Sequence, residues 1–144
     1  MNIEISTIIN RPIADVFAFA SNLENNPKWE TNFVEVKRTS AQATGVGTTY
    51  QCLLQVPGQR TASTFVITEY EPNHKISFKG DRPTSAKPVG SILFESVGTD
   101  TKVTALPHPE FGGIFKLLEP VMSGMIRKQN EAHLANLKRI LEAQ

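Results

Sequence analysis

Cysteine is nearly absent: Cys52 stands alone among 144 residues, so neither an intrachain disulfide nor a thiolate zinc cluster staples this chain. An excess of one charge is lacking too. Fifteen Lys and Arg against fourteen Asp and Glu leave a formal net charge of +1. Such a balance gives no whole-molecule field for steering towards nucleic acid or acidic lipid. There is no long hydrophobic run. The longest uncharged stretch, Thr39 to Gln59, holds Pro57 and three glycines and is mostly polar, whereas a membrane-spanning helix needs about 20 predominantly apolar residues. Met1 to Thr7 lack a basic segment followed by an apolar one, so no secretory signal is expected and a cytoplasmic location is. His74, His108 and His133 are scattered without metal-ligand spacing. No Gly-x-Ser-x-Gly elbow, His-Glu-x-x-His pair or phosphate-cradling glycine loop occurs. Neither a metal nor a cofactor is expected.

What remains is the composition of one globular domain covering residues 1–144, 40% hydrophobic and 20% charged. Ile3, Ile5, Thr7 and Ile9 alternate with polar residues, the period-2 pattern of a strand with one buried face. Pro12 suits a helix start. Ile13, Val16, Phe17 and Ala20 then recur at helical spacing, and Asn25-Asn26-Pro27 reads as a turn before the lone Trp29. That indole is expected to plug the junction of helix and sheet. The middle reads as strand throughout. Segments at 33–39, 50–56, 61–71, 76–78, 92–94 and 103–105 are separated by turns at Gly45-Val46-Gly47, Pro57-Gly58, Glu71-Pro72-Asn73-His74 and Gly98-Thr99-Asp100. Gly80 to Pro88 reads as the longest irregular stretch. Short turns between closely spaced strands predict an antiparallel meander. From Ile114 to Leu141 the apolar residues fall three or four apart, one stripe along a helix that Pro120 should break near Glu119.

Several segments in this order resemble the START-like, helix-grip fold of the SRPBCC superfamily, in its polyketide cyclase/dehydrase-like branch. Asn10-Arg11-Pro12-Ile13-Ala14-Asp15-Val16-Phe17 resembles its opening, and Asn26-Pro27-Lys28-Trp29 its Pro-x-Trp signature. Gly45-Val46-Gly47-Thr48, Thr68-Glu69-Tyr70-Glu71-Pro72 and Asn136-Leu137-Lys138-Arg139-Ile140-Leu141-Glu142 are similar to later landmarks. The resemblance implies an α+β fold. A curved antiparallel sheet of about seven strands would wrap around a long C-terminal helix, with two short helices after the first strand. It implies relatives that bind lipids, polyketides, hormones or quinones, some of which catalyse cyclisations or dehydrations. These motifs are architectural and carry no catalytic residue.

A strongly curved sheet touched by one long helix need not fill the space between them. Periodicity alone favours a filled core, whereas the resemblance favours a cavity. The sheet side of its wall would be Tyr50, Cys52, Leu54, Phe65, Ile67, Phe78, Ile92, Phe94 and Ala105. The helical side would be Leu118, Met122, Met125, Ile126 and Gln129, with Gly124 allowing close approach. Tyr50, Tyr70, Cys52, Gln129 and His133 are the polar candidates, although an edge position half in water is the plainer reading of His133. His108 and Glu110 could form an acid/base pair at the mouth, against the plainer reading of a surface histidine. The weak catalytic candidates are therefore Tyr50, Tyr70, His108 and Glu110. Buried in mid-strand, Cys52 is expected to be inert.

The leading expectation is a carrier or binder of a hydrophobic small molecule, such as a lipid, quinone or polyketide-like ring, in a cavity between sheet and helix. One alternative is a cyclase/dehydratase-type enzyme using polar groups in the same cavity. Another is a partner-binding module with a filled core and an exposed apolar patch. The expected partners are a small molecule and at most a second copy, as monomer or homodimer, without nucleic acid or stable membrane insertion.

Overall fold

The computed structural model describes residues 3–56, 58–81, 86–87, 89–111 and 113–144. β1 (Ile5–Ile9) leads into α1 (Ile13–Ala20), a 3₁₀ turn (Leu23–Asn25) and α2 (Asn26–Trp29). β2 (Phe33–Arg38), β3 (Thr49–Val56), β4 (Gln59–Glu71), β5 (Lys75–Gly80), β6 (Ala86–Lys87), β7 (Val89–Val97), β8 (Asp100–Pro107) and β9 (Glu110–Phe111) follow. A 3₁₀ segment (Gly113–Leu118) then precedes α3 (Glu119–Glu142).

Seven strands form one curved antiparallel sheet in the order β1-β8-β7-β5-β4-β3-β2, and β6 pairs with β9 in a separate ribbon. The meander expected from the turns is present. Gly98 sits at φ +64° in the β7–β8 turn and Gly58 at φ +80° before β4, a backbone region that favours glycine. Pro57 lies outside the described residues. Register shifts between Phe33 and Glu35 and between Ile67 and Glu69 bend the sheet. β4 begins two residues earlier than alternation suggested. Within the stretch read as irregular, β6 forms a short pair with β9, while residues 82–85 and 88 lie outside the described residues.

Asn25-Asn26-Pro27 is not a simple turn. The 3₁₀ turn runs directly into α2, with Pro27 in its first turn, where a missing N–H costs nothing. Trp29 is 2% exposed. Asn136 Nδ2 donates to its carbonyl at 3.3 Å, tying α2 to α3. Pro120 likewise lies in the first turn of α3 and so marks the helix start.

The stripe on α3 is only half used. His133, Leu134, Leu137 and Leu141 are buried, whereas Leu118, Val121 and Met125 are exposed and Met122 is half-buried. The buried end is fastened to the sheet. Lys138 Nζ donates to the Ile8 carbonyl, the Asn10 N–H to Glu142 at 2.8 Å, and Arg11 to the Leu141 carbonyl at 2.8 Å. Nearer the other end Arg127 reaches the Glu4 carbonyl at 3.5 Å, and nothing lies within 4 Å of where a Gly124 Cβ would stand. Close approach therefore does not explain Gly124. This lopsided docking leaves room between sheet and helix.

Candidate functional site

A cavity of about 180 Å³ occupies that room. Its apolar wall comes from Phe33, Leu54, Phe65, Phe78, Ile92 and Ala105 on the sheet and Ile126 and Leu134 on α3. Phe33 and Phe65 meet edge to face at 5.4 Å, and Phe65 meets Phe78 at 6.1 Å, so the rings hold one another in place. Gln129 and Asn130 stand on the helical side, with Asn130 donating to the Ile126 carbonyl at 2.9 Å.

One end of the cavity is polar. Trp29, Glu30, Asn32 and His133 line it, where the end of α2 turns into β2 beneath α3. The backbone there is held from both sides. Glu30 N–H donates to the Asn26 carbonyl at 2.7 Å, and Phe33 N–H donates to the Glu30 carbonyl at 3.0 Å. Thr31 N–H donates to His133 Nε2 at 3.2 Å, and the Thr31 hydroxyl lies 3.3 Å from the same nitrogen. A nitrogen that accepts a backbone N–H carries no proton itself, so the neutral ring keeps its proton on Nδ1.

The Glu30 carboxyl forms no hydrogen bond or ion pair among the described residues. It retains some accessible surface although protein surrounds it, as fits a carboxyl facing a cavity. Burial pushes it up to about 8, because a low-dielectric site disfavours the charged form. Burial also pushes His133 down to about 4. At pH 7 both groups are mostly uncharged. Trp29 Nε1, Asn32 Oδ1 and Asn26 Oδ1 are buried without partners among the described residues, an accumulation rare in folded proteins. No Lys or Arg among the described residues lines the cavity.

The expected wall residues divide into three groups. Leu54, Phe65, Phe78, Ile92, Ala105, Ile126 and Gln129 line the cavity. Tyr50, Cys52, Ile67 and Phe94 lie in closed core instead. Phe94 and Tyr70 pack around Phe17 of α1, at 5.1 Å from Phe17 to Phe94 and 5.4 Å from Phe17 to Tyr70. Tyr50 is 1% exposed beside the backbone of Leu23. Cys52 is pushed up to about 12, by burial first and the nearby Glu30 second, which keeps it a thiol. Leu118, Met122 and Met125 do not line the cavity: Leu118 and Met125 are exposed and Met122 is half-buried.

His108 is exposed and does not line the cavity, and the Glu110 side chain lies outside what is described. His133 is 4% exposed rather than half in water, because its ring faces the α2–β2 junction. Glu30 and Asn32 carry no signature that sequence patterning detects. Among the described residues, no group of three or more His, Cys, Asp or Glu is placed to hold a metal ion. No helix among them is long and apolar enough to cross a membrane. Both a void and an exposed apolar patch (Leu117, Leu118, Val121, Met125) exist.

A curved sheet closed on one side by a helix, with a small pocket between them, defines a helix-grip domain. The chain belongs to the polyketide cyclase / dehydrase and lipid transport family, whose model matches residues 1–142. Solved structures share the fold. A Thermus thermophilus protein superposes with a TM-score of 0.80 at 16% identity, over 99% of this chain and 98% of that one. The Zhui aromatase/cyclase from Streptomyces sp. R1128 gives 0.77 at 10% identity, over 99% and 93%. The di-domain ARO/CYC StfQ from the steffimycin biosynthetic pathway gives 0.76 at 13% identity, over 99% of this chain and 51% of that one. No curated protein sequence matches the chain.

Proposed function

We propose that the protein binds a small, uncharged, largely apolar molecule in this cavity, with its hydrogen-bonding group at the Glu30–His133 end. The observation that carries this reading is the wall itself. It is mostly apolar with a few uncharged polar groups, and its ionisable members, Glu30 and His133, are held neutral. An anion there would find no cation among the described lining residues, and desolvating an unpaired charge costs several kcal/mol. Size narrows the ligand further. A dry apolar cavity of about 150 Å³ accepts benzene, so about 180 Å³ suits one substituted ring or a pair of small fused rings.

The test compares 2-naphthol with 2-naphthoate at pH 6, where Glu30 is protonated and the naphthoate ionised. Binding is read from the fluorescence of Trp29, the single tryptophan, which lines the site. The expected outcome is binding of the naphthol at least about tenfold tighter than the naphthoate, a difference of about 1.4 kcal/mol. Equal binding, or preference for the carboxylate, would contradict the reading. A second reading, cyclase/dehydratase-type chemistry in the same cavity, is favoured by Glu30 specifically, because burial brings its carboxyl into the range where both protonation states are accessible.

A further inference from the structure

We infer that Glu30 and His133 form an acid–base pair that moves a proton on the carbon beside the carbonyl of a bound, uncharged ring ketone. This deepens the binding reading above and rests on it. The geometry supplies each part. Glu30 lines the cavity, and its carboxyl has no competing partner among the described residues. Its backbone is pinned on both sides, through Asn26 and Phe33. Thr31, the next residue, fixes His133 by occupying Nε2 with its N–H. That leaves Nδ1 as the protonated nitrogen of a neutral ring that lines the cavity. A carboxylate base and a neutral imidazole donor lining one cavity are a general solution for enolisation, because the donor stabilises charge developing on oxygen without itself carrying charge.

The step balances without any further reagent. The Glu30 carboxylate takes the proton as the C–H bond breaks, and the electron pair moves onto the carbonyl oxygen. The enolate oxygen accepts a hydrogen bond from His133 Nδ1–H. The Glu30 carboxyl then returns a proton to carbon, and the imidazole never changes its charge. Burial places Glu30 at about 8, where acid and base forms coexist near neutral pH.

Two titratable neighbours stay silent across the relevant range. Cys52 on β3 is held at about 12, and His133 on α3 at about 4. Glu24 accepts from the Arg38 N–H, and the Arg38 side chain is engaged with Ser40 and Thr44.

The probe is 2-indanone in D₂O. Exchange of its α-hydrogens is followed by proton NMR, and its binding by Trp29 fluorescence. The expected result is protein-dependent exchange that rises with pH along a sigmoid with a midpoint near 8. Glu30→Gln, assayed at saturating 2-indanone, should lose exchange by about 100-fold or more. If Glu30→Gln fails to fold, Glu30→Asp and the wild-type pH profile decide: Asp should retain a reduced rate with a displaced midpoint. Binding without exchange above buffer would overturn this proposal and leave the binding reading intact. So would a Glu30→Gln rate equal to wild type, or a rate simply proportional to hydroxide. Failure of 2-indanone to bind at all would overturn both.

Discussion

Replacing Glu30 with glutamine should make the protein more stable at neutral pH, by an amount that grows with pH. Burial raises the carboxyl from its ordinary 4.5 to about 8. Below pH 4.5 it is protonated in the folded and the unfolded chain alike, so it makes no difference between them. Between 4.5 and 8 the unfolded chain releases a proton that the folded chain keeps. Folding stability then falls by about 1.4 kcal/mol per pH unit. The accumulated loss is about 3 kcal/mol at pH 7 and about 4 kcal/mol at pH 8 as upper bounds, since Glu30 keeps some accessible surface. Glutamine has the same shape and no proton to lose.

His133 acts in the opposite sense. It is held at about 4 against an ordinary 6.5, so stability rises as pH climbs between those values. In the wild type the two slopes cancel from about pH 4.5 to 6.5, and a decline follows up to about pH 8. In Glu30→Gln only the rise remains. Urea denaturation of both proteins at pH 4.5, 6, 7 and 8 measures this. A stability difference that does not change with pH would refute the reasoning, as would a glutamine variant less stable than wild type at pH 8.

Four further outcomes follow from packing. Trp29→Ala removes an indole only 2% exposed and should cost on the order of 3–5 kcal/mol by thermal or urea denaturation. Met125→Trp should change stability by less than about 0.5 kcal/mol and leave 2-naphthol binding intact, because Met125 is 65% exposed. Ile126→Trp, one residue on and lining the cavity, should abolish that binding in the same titration. Gly80→Ala would put a methyl 2.9 Å from Phe65 Cε1 and 3.0 Å from Ser63 Oγ. It should cost roughly 1–3 kcal/mol by urea denaturation, because the Phe65 ring is wedged against Phe33 and Phe78.

Much of the architecture was legible because it is written in local periods. Ile5 and Ile9 are buried at the ends of β1, Val16, Phe17 and Ala20 form the inner face of α1, and Pro120 marks the start of α3. Alternation tells which face of a strand is inward, not what covers it. Phe94 and Phe78 are both inward-facing candidates, yet Phe94 meets Phe17 of α1 while Phe78 meets the cavity. The α3 stripe shows the same limit. Periodicity reveals an apolar face from Leu118 to Leu141 but not that only its C-terminal half has a partner. The polar end was illegible for a stronger reason. Glu30 gains its environment from β3 and α3, and it is the Thr31–His133 hydrogen bond, bridging 102 positions, that fixes the site. The one local hint was an acid set between Trp29 and Phe33.

The central claim is that Glu30 is an uncharged acid facing the ligand. The direct measurement is a ¹³C-carboxyl NMR titration of glutamate-labelled protein, with Glu30 assigned through Glu30→Gln, run free and with saturating 2-naphthol. In the free protein the midpoint should fall near 8, and bound naphthol should move it higher by excluding water and hydrogen-bonding to the neutral form. A midpoint near 4.5 that the naphthol leaves unmoved would contradict the account.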